Sequence, residues 1–128
     1  MTILRTALVA LLLNVTVLAQ PAPTATDATI VRSGTTASVY LTLNNPSMYD
    51  IYVMSATSDA AGKVELYSGH KPVDNLTVAA YGSLELKAGG LFLRLSELTR
   101  ELKAGESITV TMETDGGAPI VATAVVKR

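Results

Sequence analysis

Hydrophobic and polar residues alternate with period two along most of this chain, in short segments divided by turn residues. That pattern predicts half-buried antiparallel strands repeated many times. The clearest is TASVYLTLN, where Ala37, Val39, Leu41 and Leu43 share one face and Ser38, Tyr40, Thr42 and Asn44 the other. NNPS then supplies turn chemistry before IYVMSAT resumes an extended pattern, and DAAG turns again into KVELY, where Val64 and Leu66 lie together. Leu76, Val78 and Ala80 alternate, then Leu84 and Leu86, then Leu91, Leu93 and Leu95. Ile108, Val110 and Met112 follow, and IVATAVV closes the series. About seven or eight strands with turns near every tenth residue predict an all-β Greek-key sandwich or barrel.

Two departures from the alternation matter. The turns LKAGG (86–90) and LKAGE (102–106) match, but the match is too short for a repeat architecture and reads as one turn solution used twice. Residues 96–102, SELTREL, start with a capping serine yet hold no more than one helical turn or an irregular loop.

The amino-terminal stretch falls outside the strand pattern. Arg5 precedes the apolar run 7–13, and Val17-Leu18-Ala19 ends in a small residue suited to signal-peptidase cleavage, so residues 1–19 are expected to be a signal peptide. Asn14 and Thr16 interrupt the run short of a membrane span. QPAPTATD, residues 20–27, reads as a flexible leader, with the sandwich domain over 28–128. The expected location is periplasmic or extracellular, with no membrane attachment after cleavage.

Composition narrows the function. With 48% hydrophobic and 16% charged residues in 128, one domain can bury a core. The formal charge is −1; losing Arg5 leaves nine basic against eleven acidic side chains, −2, with no basic cluster to attract nucleic acid. The absence of cysteine removes disulfides, thiol catalysis, thiolate metal sites and a cysteine-linked lipid. One histidine, no Gly-x-Ser-x-Gly and no carboxylate pair around Asp50 or Glu65 leave no catalytic constellation, so an enzyme is not expected.

The order YLTLNN (40–45), then 55–61 leading into Val64-Glu65-Leu66, then LELKAGGL (84–91), then LKAGE (102–106) before ITVT, resembles the PCuAC family of periplasmic copper chaperones. The resemblance spans residues 28–127 and implies a cupredoxin-like sandwich whose relatives hand Cu(I) to the CuA centre of cytochrome oxidase. It also implies a ligand set of two histidines and two methionines: a His directly after the V-E-L strand, a Met in the following hairpin, and a closing His-x-Met after a Gly-Gly turn. Cu(I) takes such soft imidazole and thioether donors. Here Tyr67 stands at the first position, Phe92 and Arg94 stand in the closing motif, and the hairpin between Tyr67 and Gly82 is short and lacks Met. KVELYSGHKP thus looks like the place of a former metal site.

Two readings follow. In one, no cofactor is held, Arg94 stacks on Tyr67, and a recognition face for a protein partner of the cell envelope draws on Tyr40, Tyr49, Tyr52, Tyr67, Phe92 and Arg94. Strict alternation also allows Phe92 and Arg94 simply to face solvent while Leu91, Leu93 and Leu95 point inward. In the other, the protein is a working copper chaperone serving CuA assembly, with relocated ligands, His70 with Met48 or Met54. An exposed loop histidine beside Lys71, and methionines 54 and 112 as packing residues, are the plainer assignments of those side chains.

Overall fold

The computed structural model describes residues 22–127. The signal peptide expected over residues 1–19, and Gln20 and Pro21 of the expected leader, lie outside the described residues. Seven strands of eight or more residues make the fold: β1 (Thr24–Ser33), β2 (Thr36–Asn44), β3 (Ile51–Ser58), β4 (Ala61–Ser68), β8 (Leu91–Leu98), β9 (Ser107–Thr114) and β10 (Ile120–Lys127). Three short pieces complete it: β5 (Lys71–Pro72), β6 (Leu76–Val78) and β7 (Ser83–Glu85).

The long strands run in the order β4-β8-β2-β1-β10-β9-β3, and a β3–β4 pairing at Ser58↔Ala61 closes the sheet into a barrel. Pairing β1 with β10 is parallel and sets Lys127 beside Val31, near the opposite end of β1 from Thr24; the other pairings are antiparallel. β8 inserts between β4 and β2, the long return that gives the Greek-key character.

The interior is built from the alternation itself. Ala37, Val39, Leu41 and Leu43 of β2, Leu93 and Leu95 of β8, Ile108, Val110 and Met112 of β9, and Ile120 to Val126 at every second position of β10 are all buried. Each Leu, Ile or Val buried in this way contributes about 1.5–3 kcal/mol of transfer free energy. With no cysteine in the sequence, the fold rests on this burial and on the strand ladders.

The two matched turns are one solution. The Gly90 N–H donates to the Lys87 carbonyl and the Glu106 N–H to the Lys103 carbonyl, both at 3.0 Å. Gly89 and Gly105 take φ of 82° and 86°, values that the third position of a type II turn requires and glycine supplies at no steric cost. Leu86 and Leu102, ahead of each turn, are anchored in the core.

Two sequence expectations are corrected. β1 begins at Thr24, so the boundary between leader and domain does not fall at residue 28: Thr24, Ala25 and Thr26 already pair with Asn44, Leu43 and Thr42. Asp27, at φ 56°, sits in a bulge that shifts the register between Thr26 and Thr29, so alternation fails across it and the segment reads as irregular. Residues 96–98 are not part of a helical turn but the end of β8, broken by Glu97 at φ 52°.

Candidate functional site

β2, β8 and β4 are neighbours, and their registers line up side chains in rows on the outer face. Tyr67 is opposite Phe92, Leu66 opposite Leu93 and Glu65 opposite Arg94 across β4–β8. Across β2–β8, Val39 is opposite Leu93 and Ser38 opposite Arg94, which leaves Tyr40 one residue beyond, level with Phe92. Since Leu93 and Leu95 point into the core, Tyr40, Phe92, Tyr67 and Arg94 share the opposite face, where all four are half-buried.

These side chains touch. Tyr67 and Phe92 stack at 5.4 Å between centroids with 29° between planes, and Tyr40 meets Phe92 edge-on at 6.2 Å and 63°. The Arg94 Cζ lies 5.3 Å from the centre of the Tyr67 ring, and Arg94 Nη1 donates a long hydrogen bond of 3.4 Å to the Tyr67 hydroxyl. Each such aromatic pair contributes about 0.5–1.5 kcal/mol beyond its area, and a cation over a ring about 0.5–1 kcal/mol at an exposed site. Of the two sequence alternatives for Arg94, the structure has the packed one: the residue is on the outer face but lies against Tyr67 instead of simply facing solvent.

The carboxylate directly across from Arg94 is turned elsewhere. Glu65 Oε2 lies 3.7 Å from Lys63 Nζ on its own strand, and among the described residues no ion pair involves Arg94. Its guanidinium therefore has four N–H donors beyond the one spent on Tyr67.

The remaining sequence candidates lie apart from this row. His70 is the second residue of the two-residue turn that joins β4 to β5, exposed, after Gly69 at φ 64°. Met48 is exposed in the loop 45–50. Met54 is exposed on β3, at a cavity of about 310 Å³ with Glu65, Leu66 and Pro72, which neither His70 nor Met48 lines. Met112 packs in the core. Among the described residues no group of three or more His, Cys, Asp or Glu side chains gathers to hold a metal ion.

Tyr49 and Tyr52 do not extend the aromatic row. Tyr49 lines a separate cavity of about 440 Å³ with Pro23, Ile51, Asp115 and Ala118, and the Tyr52 N–H donates to Asp115 Oδ1 at 3.1 Å.

Sequence reasoning missed the device that holds the Tyr49 end together. Asn45 is buried, and its Nδ2 donates to the carbonyls of Tyr49, Val78 and Ala79 at 2.7, 3.1 and 3.2 Å. Its Oδ1 accepts from Ser47 N at 3.0 Å and Ser47 Oγ at 2.7 Å. NNPS announces a turn, but nothing local announces acceptors 33 and 34 residues away.

With this geometry in place, comparisons with known proteins become specific. The LpqE-like family model, whose description likens its members to the lipoprotein LpqE, matches residues 12–126. The chain belongs to the LpqE-like family. Among solved structures, the copper-bound PCuAC domain from PmoF2 aligns with a TM-score of 0.75 at 13% identity, covering 86% of this chain and 96% of that one. Cu(I)-bound DR1885 from Deinococcus radiodurans aligns at 0.69 with 29% identity, over 86% of this chain and 79% of that one. Its apo form aligns at 0.56 with 26% identity, over 97% and 89%. No curated protein matches the chain. The PCuAC resemblance and the cupredoxin-like fold therefore stand. The 128 residues of this LpqE-like protein contain no cysteine through which a lipid could be attached.

Proposed function

We propose that this LpqE-like protein is an exported, non-enzymatic binding module that keeps the PCuAC-like barrel and has lost its Cu(I) site. One observation carries the reading. The three positions that the PCuAC resemblance assigns to imidazole and thioether hold a phenol, a phenyl ring and a guanidinium, and these pack on one another. Cu(I) requires soft donors, whereas a fixed positive charge repels it, at about 4 kcal/mol per unit charge at 4 Å near a protein surface. Family membership and the likeness to PCuAC domains support export and a role in contact with other proteins. The half-buried row Tyr40, Phe92, Tyr67 with Arg94 is the contact face, rich in residue types that dominate binding energy at interfaces.

A second reading has two observations in its favour: His70 is exposed at a hairpin tip, and DR1885, 29% identical, is a Cu(I)-bound protein. Under it, His70 with Met48 or Met54 holds Cu(I) for CuA assembly. A Cu(I) competition titration against a chromophoric chelator, with His70→Ala alongside, separates the two. The module reading predicts that neither protein competes; stoichiometric binding abolished by His70→Ala would replace it with the chaperone reading.

A further inference from the structure

We propose that Arg94 and the aromatic row form a binding site for a peptide carboxylate, an acidic side chain whose neighbouring apolar residue lies across Phe92. The inference rests on the contact-face reading above and names its ligand.

Three features lead there. Cross-strand opposite charges ordinarily pair, yet Glu65, the acid directly opposite Arg94, is drawn along its own strand to Lys63. The guanidinium is instead laid over the Tyr67 ring, which holds its plane in place while leaving most of its donors unspent. A positioned, half-buried guanidinium with a free fork is matched in geometry to a carboxylate, which it binds through two parallel hydrogen bonds.

The surroundings select the rest of the ligand. Phe92 stands two residues from Arg94 on the same face, with Tyr40 and Tyr67 flanking it on the neighbouring strands, so an apolar side chain next to the acid meets aromatic surface. A single guanidinium in a chain of net charge −1, without a basic cluster, suits one carboxylate better than a phosphate, whose higher charge is usually met by several cations. Rings and guanidinium are already packed together, so little ordering accompanies binding.

The test is a two-dimensional NMR titration of the full chain with the blocked dipeptides acetyl-Glu-Leu-amide and acetyl-Gln-Leu-amide. Resonances of Tyr67, Phe92 and Arg94 should shift with the glutamyl peptide, and affinity should fall roughly tenfold with the glutaminyl one, the scale of a lost charge-assisted hydrogen bond. Arg94→Gln should erase that preference and Arg94→Lys should keep part of it; the substituted position is on the outer face, and unchanged spectra elsewhere verify folding. Equal affinity for the two peptides, or a preference surviving Arg94→Gln, overturns the proposal. Equal binding that Phe92→Ala still weakens would overturn the carboxylate while leaving the contact face intact. Failure of both peptides together with tight Cu(I) binding by the protein would remove the module reading itself. Sodium phosphate shifting the same resonances where the glutamyl peptide does not would also overturn it.

Discussion

Replacing Asn45 by alanine removes one side chain that ties the loop 45–50 to the segment 78–82. Its amide donates to three carbonyls and its oxygen accepts from both the backbone and the hydroxyl of Ser47. An amide has two N–H groups and two lone pairs, so four hydrogen-bond equivalents are lost, each with a net value of about 1 kcal/mol. The bonds to Tyr49 and Ala79 are partly exposed and those partners can turn to water, whereas the bonds to Val78 and Ser47 are buried. Discounting the former leaves about 3 kcal/mol. In a domain of this size that corresponds to a fall in Tm of roughly 12–18 °C, with a matching drop in the urea midpoint at unchanged slope. Asn45→Asp sharpens the test, because it keeps the acceptor while aiming a negative charge at three carbonyl oxygens. At neutral pH it should cost at least as much as alanine. A loss below about 1 kcal/mol for Asn45→Ala, or an aspartate milder than alanine, would refute the donor role assigned to this side chain.

Three further outcomes are expected. Tyr81 takes φ 59° and is 72% exposed as a residue, so Tyr81→Gly should be neutral to about 1 kcal/mol stabilising in urea melts; clear destabilisation would show that the ring packs on something. Leu93 has no exposed surface and lies between Leu66 and Val39, so Leu93→Ala should cost about 3 kcal/mol by the same measurement. Arg94→Ala, by contrast, should cost under about 1 kcal/mol, since a cation over a half-exposed ring contributes little to folding, and a larger loss would mean that Arg94 is a structural residue.

Much of the barrel was legible because the side-chain period of a strand is two and one face must be dry. β2 shows it best: the residues that alternation places together, Ala37, Val39, Leu41 and Leu43, are the ones buried. The same rule put Phe92 and Arg94 outside and Leu93 and Leu95 inside, and the family resemblance located Tyr67 beside them; their mutual packing follows from the β4–β8 register. Illegibility begins where the chain leaves the period. Asp27 and Glu97, both at positive φ, break alternation at β1 and at the end of β8, and the sequence on either side then reads as leader or helical turn. Asn45 was opaque for another reason: its partners are distant in sequence, and an asparagine before a proline has a sufficient local explanation as a turn. Tyr49 and Tyr52 were grouped with Tyr67 by residue type, and only topology separates them, toward Asp115 and the β9–β10 turn.

The central claim is that substitution at three aligned positions, and not a change of fold, removed the copper site. Reversing the substitutions is its most direct test. Cu(I) competition titrations should be run on the protein and on the triple variant Tyr67→His, Phe92→His, Arg94→Met, which brings two imidazoles and a thioether to one outer face. The account predicts no competition by the unmodified protein and stoichiometric Cu(I) binding by the triple variant. Tight binding by the unmodified protein, or a correctly folded triple variant that binds none, would contradict it.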